Sequence, residues 1–298
     1  MKRKDRLKYH LYLALLYPVA LLPLRLLYIA SDIIAFMMRR MMRYRRKVVR
    51  DNLASCFPEK SHAERAAIEK EFYRSLADNI VETVKLLSIS HRAMRRRVVV
   101  TNGHLVDEIA ATGRPIILYL GHFGNWEWMP AMTYYYSSAI LNGHIYKKMH
   151  DPAADAVMHR IRSRFPSQGI ELKRALREIL AMGRKGAPMM VGFISDHRFN
   201  NVQRRHSTMF LNHETPYYVG GEAIGSKIGA EFLYLDVEKT GRGHYRLTFV
   251  PITPDPAVEN SVTIKYMELM EATIRRQPPY WLWSHRRWLP KPSKDIPS

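Results

Sequence analysis

Only one cysteine, Cys56, occurs in 298 residues, which excludes an intramolecular disulfide framework. No G-x-S-x-G stretch occurs, so a serine on a nucleophile elbow has no sequence support. No H-E-x-x-H pair occurs either, and a metal site built on that helical spacing drops out with it. Repeats of solenoid length and low-complexity tracts are absent. Acidic residues are scarce: 27 Asp and Glu stand against 47 Lys and Arg, for a formal charge of +20 and a pI near 10.1. Such a field gathers polyanions, whether nucleic acid, an anionic bilayer or an acidic carrier protein. Hydrophobic residues make up 47% of the chain, an ordinary globular value that argues against disorder and against a polytopic membrane protein.

Long apolar runs are lacking too. Residues 9–38 are apolar but broken by Pro18, Pro23, Arg25 and Asp32, and the charge-free part, Leu11 to Leu24, is 14 residues. Spanning a bilayer takes about 20. No small-residue cleavage site follows, so a signal peptide fits poorly. Basic blocks bracket the segment, "MKRKDRLK" before it and "RRMMRYRRKVVR" after it. That arrangement predicts a membrane-surface anchor over residues 1–45, with basic side chains on lipid phosphates and leucines in the acyl boundary. The alternative is a helix pair covering an apolar face of the domain. A nucleic-acid arm fits less well, because it would not carry the apolar segment.

Residues 46–298 are expected to form one α/β domain with a mixed, mostly parallel central sheet flanked by helices. Lys60–Leu87 has helical spacing and opens on Ser61 with Glu64 three residues later, a capping-box pattern. Gly113–His122 and Gly186–His197 share one design: Gly-x-Pro, a continuous apolar run, then polar residues. Such runs suit strands buried on both faces of a parallel sheet. Between them lie a short candidate strand, Ser138–Tyr146, and two helical stretches. Residues 229–252 read as a hairpin around Gly241-Arg242-Gly243, followed by a helix over Ser261–Arg276.

Ligands of open α/β sheets bind beyond the carboxyl ends of strands. There the first run ends in "GHFGNWE", residues 121–127, and the second in Asp196-His197. Asn125 can start a helix, which puts Glu127 in a first turn where its carboxylate can fold back on the His122 imidazole. A carboxylate on one ring nitrogen leaves the other as a base. With no serine or cysteine alongside, the nucleophile is expected to be a substrate hydroxyl.

"GHFGNWE" resembles the signature of the bacterial lipid A biosynthesis acyltransferases, in the lysophospholipid acyltransferase superfamily: His, four residues, then Asp or Glu. "RRKVVRDNLASCFPEKSHAER", "YKKMHDPAAD", "SDHRF" and "PPYWLWSHRRW" resemble further family stretches in the right order, from about residue 40 to 290. The resemblance implies a glycerolipid-acyltransferase-like domain that moves an acyl chain from acyl carrier protein, or another thioester such as acyl-CoA, onto a hydroxyl of a lipid A precursor. It implies His122 as base with Glu127 as partner, and Lys147, Asp196, Asn125 and Arg286 as substrate-binding candidates, with neither metal nor cofactor. Lys147 stands where the family usually has arginine, which keeps the charge and loses the bidentate fork. The "FPEGTR"-like block of glycerol-lipid members is missing. Arg95–Arg97, Lys148, Arg204, Arg205 and Arg287 add positive charge for acyl carrier protein, lipid phosphates and an anionic inner-membrane surface on the cytoplasmic face. Two rival readings are the same chemistry on an aminolipid or glycolipid, and a non-catalytic basic protein of the membrane surface.

Overall fold

A computed structural model describes residues 1–197 and 206–288; the basic candidates Arg204 and Arg205 lie outside them. The chain opens with two helices, α1 (Arg3–Leu21) and α2 (Leu24–Phe36), the second running into a π-helical turn at Met37–Met41. Pro23 cannot continue α1, and the two helices bend by 114° across the break. Among the described residues no single helix is long and apolar enough to cross a membrane. Next come α3 (Arg46–Cys56) and α4 (His62–Lys85). The Ser61 hydroxyl accepts from the Glu64 amide and the Glu64 carboxylate from the Ser61 amide, so the expected capping box is formed.

The rest alternates: α5 (His91–Arg95), β1 (Val98–Val100), α6 (His104–Ala111), β2 (Ile116–Leu120), β3 (Leu141–Tyr146), α7 (Pro152–Arg162), β4 (Ser167–Glu171), α8 (Ala175–Gly183) and β5 (Met189–Ile194). A small hairpin, β6 (Ser207–Phe210) and β7 (His213–Pro216), precedes α9 (Gly220–Lys227). The long hairpin β8 (Glu231–Gly241) and β9 (His244–Ile252) and helix α10 (Ser261–Arg276) follow. Seven strands form one sheet in the order β1-β9-β8-β2-β5-β3-β4. Only the β8–β9 pairing is antiparallel, so the sheet is mixed and mostly parallel.

The two Gly-x-Pro runs become β2 and β5, paired in parallel from Ile116↔Met190 to Leu120↔Ile194. In each run the glycine amide closes the preceding helix, Gly113 onto Ala110 and Gly186 onto Gly183, and the proline carbonyl takes an amide from the neighbouring strand. All five residues of β2 are buried, which explains the unbroken hydrophobicity.

The inner faces of α1 and α2 pack on the domain. Leu24 and Leu27 belong to the main core, and Tyr12 donates to Asp151 at the start of α7 (3.0 Å). Their outer faces present Leu7, Leu11, Leu15, Ile29, Ile33 and Phe36 to solvent. The segment therefore covers the domain on one side and exposes apolar side chains on the other.

Candidate active site

The paired strands β2 and β5 end side by side, and the residue two past each end is polar: His122 after Leu120, Asp196 after Ile194. His122 Nδ1 and Asp196 Oδ1 are 2.7 Å apart, and the His122 amide donates to Asp196 Oδ2 at 2.9 Å. Trp281 Nε1 donates to that same oxygen at 2.8 Å. Asp196 is fully buried. Burial alone would raise its carboxyl, but the imidazoles of His122 and His197 and the hydrogen bonds from His122 and Trp281 outweigh it and hold the group ionised, well below the usual carboxylate range. The Nδ1 of His122 is thus committed to a carboxylate, and Nε2 is the ring nitrogen left for chemistry.

Glycines make this approach possible. A Cβ on Gly121 would stand 2.3 Å from the Met270 methyl, and one on Gly124 would stand 2.7 Å from the Tyr245 ring at a φ of +58°. Gly124 also donates its amide to the Tyr280 carbonyl and accepts from Asn79, pinning the loop on both sides.

The structure corrects the expected partner of His122. Glu127 gives both carboxylate oxygens to Arg162 of α7, at 2.8 and 2.6 Å. Asn125 does not start an α-helix: a turn leads to a 3₁₀ stretch at Met129–Tyr134. Nor does Asn125 line the cavity described below. It is buried, its amide donates to Glu82 at 3.0 Å, and its oxygen accepts from the Glu127 backbone at 3.1 Å. Arg286 is exposed and outside the lining of the cavity described below, so position alone separates it from the site. Arg287 is buried and donates to the Pro216 carbonyl, while Arg97 donates to the Gly243 carbonyl and Arg95 to that of Tyr134. Those three arginines are tied to the domain's own backbone.

His122 opens on a cavity of about 820 Å³. Leu120, Pro130, Met132, Met190, Phe193 and Ile194 give it an apolar wall, while the Glu127–Arg162 pair, Lys147, Lys148 and Lys173 give it polar and basic ones. Lys147 is exposed just past the end of β3 and lies on the lining with His122. Ser195 also lines the cavity. Cys56 does not: the last residue of α3, it is fully buried in the core, and burial pushes its thiol up to about 12.

Three imidazoles stack in a column. His122 lies on His197 with ring centroids 3.6 Å apart, and His197 on His285 at 4.0 Å, both pairs within 6° of parallel. Burial pushes His197 down to about 3 and His285 down to about 4, so both flanking rings are neutral near pH 7. His122, Asp196 and His197 bring ligand-type atoms within 4.8 Å of one another. They converge poorly on a cation, because parallel rings direct their in-plane lone pairs side by side, and Asp196 is already engaged by His122 and Trp281.

Curated relatives share most of the chain's length. A lipid A biosynthesis lauroyltransferase of Escherichia coli K12 is 23% identical over 87% of this chain and 83% of its own. A lipid A biosynthesis palmitoleoyltransferase of the same organism is 24% identical over 91% of this chain and 87% of its own, and a lipid A biosynthesis acyltransferase of Shigella flexneri gives the same figures. The family model described as bacterial lipid A biosynthesis acyltransferase matches residues 2–290. With that match running from α1 through the His122 site to the C-terminal tryptophans, the chain belongs to the bacterial lipid A biosynthesis acyltransferase family.

Proposed function

We propose that this acyltransferase moves a fatty acyl group from an acyl thioester, acyl carrier protein or coenzyme A, to a hydroxyl of a lipid A precursor, using His122 as general base and Asp196 as its supporting acid. The 2.7 Å contact between His122 Nδ1 and Asp196 carries the reading. Asp196 fixes the tautomer with Nε2 free to accept a proton, and its charge supports the imidazolium that forms. As the acceptor oxygen attacks the thioester carbonyl, its proton passes to Nε2 and a tetrahedral oxyanion forms. Collapse breaks the C–S bond, and the imidazolium returns the proton to the leaving thiolate. The ester and the free thiol are the products, and the base is regenerated.

The apolar wall suits an acyl chain, and Lys147 at the mouth suits a phosphate or carbonyl oxygen. Glu127, on this reading, holds the Arg162 guanidinium in the cavity wall and acts on substrate position rather than on the base. The outward apolar face of α1 and α2, with basic residues at both ends of the segment, is proposed to rest on an anionic membrane surface, the cytoplasmic face of the inner membrane. The same positive field suits an acidic carrier protein.

The test is to incubate the purified protein with acyl carrier thioester, with and without lipid A precursor, and to weigh lipid and protein by mass spectrometry. One added acyl group on the lipid, with no acyl adduct on the protein in donor-only samples, is expected. An adduct lost on adding acceptor would overturn direct attack and point to Ser195. No lipid product at all, or product only with an aminolipid or a simple glycolipid, would overturn the acceptor.

A further inference from the structure

The column His122–His197–His285 ends on a backbone segment that the mechanism does not use, and the segment is held from far away in sequence. Asn52 of α3, 93% buried, donates through one amide nitrogen to two carbonyls: Trp283 at 2.9 Å and His285 at 3.0 Å. Arg45, just ahead of α3, donates to the Ser284 carbonyl at 3.1 Å. Between these anchors the segment folds tightly on itself, with the Trp283 amide on the Trp281 carbonyl and the His285 amide on that of Leu282. From this one turn two side chains reach the base: Trp281 through Asp196, and His285 through the face of His197.

His197 Nε2 and His285 Nδ1 are buried with no hydrogen-bond partner among the described residues. Those edges of the rings hold nothing, and what the rings offer His122 is their flat faces. Parallel faces 3.6 and 4.0 Å apart leave the His122 ring one plane to occupy, the plane in which Nδ1 meets Asp196.

We infer that Asn52 is a positioning residue for the base: through the Trp281–His285 turn and the stacked rings, it holds the His122 imidazole in line with Asp196. This rests on the proposed role of His122. It also gives work to two stretches the mechanism leaves idle, "VVRDNL" and "WLWSHRR", which the fold brings together across more than two hundred residues.

Asp196 and His197 face His122 from the end of β5, and the column continues to His285, with Arg287 beside both flanking rings and Arg45 beside His285. Lys147, Lys148, Lys173, Glu171, His144 and His150 line the same cavity as His122. Glu127 and Arg162 share its cavity as a neutralised pair.

The experiment titrates the His122 imidazole by NMR in the full-length protein and in Asn52→Leu, His285→Ala and His285→Phe, with melting curves for each. In parallel it records the pH profile of kcat/KM, whose acid limb reports the free base. A ring that can leave Asp196 loses support for its charged form. Asn52→Leu and His285→Ala are therefore expected to lower the His122 midpoint by about half a unit or more. The acid limb moves with it, and kcat/KM falls about tenfold. His285→Phe, which keeps a flat ring, is expected to retain the wild-type midpoint. A folded Asn52→Leu protein with an unmoved midpoint overturns the inference, as does loss of the fold in both Asn52→Leu and His285→Ala. If wild type transfers no acyl group yet the midpoints move as expected, the positioning stands and the assigned reaction fails.

Discussion

Asp196 meets His122 twice, with Oδ1 on the ring nitrogen at 2.7 Å and Oδ2 on the backbone amide at 2.9 Å. The two contacts fix both the ring and the loop that carries it. His122→Ala is expected to lower acyl transfer by about 10²–10⁴ with the fold retained, the usual loss on removing a general base. Asp196→Asn should approach the same loss, because an amide facing Nδ1 presents the wrong tautomer and no charge. Steady-state rates with a saturating thioester check this. An Asp196→Asn enzyme within threefold of wild type would remove the dyad.

Glu127→Gln is expected to be the milder substitution at the rate-limiting chemistry. Its carboxylate is bidentate on Arg162, and a glutamine keeps one acceptor oxygen while leaving the guanidinium charge uncompensated in the cavity wall. The expected signature is a raised KM with a smaller fall in kcat than Asp196→Asn. If Glu127→Gln instead matches His122→Ala in kcat, Glu127 acts on the base after all.

Removing residues 1–38 is expected to unfold or aggregate the protein rather than release a soluble core. The deletion takes away Tyr28, which donates to buried Glu82 at 2.9 Å, and Ser31, which donates to buried Asp78 at 2.7 Å. It also uncovers the core around Leu24 and Leu27. Ile29→Glu with Ile33→Glu, on the outward face, should leave the melting temperature unchanged and abolish binding to anionic vesicles. Vesicle co-sedimentation beside circular dichroism separates the two roles. A stable, soluble truncate would show that the segment is only an anchor.

The neutral rings of the column predict an acid-labile site. His197 and His285 titrate in the folded protein at about 3 and about 4, below their ordinary 6.5. Between those values the unfolded chain binds more protons than the folded one. By linkage, stability is full above about 6.5 and falls as pH drops towards 4. Thermal melts across that range should show a declining midpoint that flattens in His197→Phe with His285→Phe. A decline of equal slope in the double variant would assign the acid lability elsewhere.

Much of this was legible in the chain, for identifiable reasons. The capping box at Ser61 and Glu64 is local chemistry, and Ser261–Arg276 and the hairpin at Arg242 carry strong periodicity and turn signals. β4 and the β6–β7 hairpin escaped, because "SQGIE", "STMF" and "HETP" are short and mostly polar. The partner of His122 was misread because Glu127 is five residues away in sequence whereas Asp196 is 74. Aligning the two runs on their Gly-x-Pro starts places Ser195 opposite His122, one residue short of the observed register. Arg162, Trp281 and Asn52 carry no local mark of their roles, which exist only once the strand ends and the C-terminal turn meet.

Glu82 lies fully buried in α4, and its carboxylate takes hydrogen bonds from Tyr28 of α2 and from Asn125 of the His122 loop. One side chain thus serves as common ground for the segment that faces outward and the loop that carries the base. The N-terminal helices are therefore not a module to be traded for another membrane tether of similar length and hydropathy. A chimera with foreign helices would have to supply a hydroxyl at the place of Tyr28, or leave a fully buried carboxylate one donor short beside the loop that carries His122.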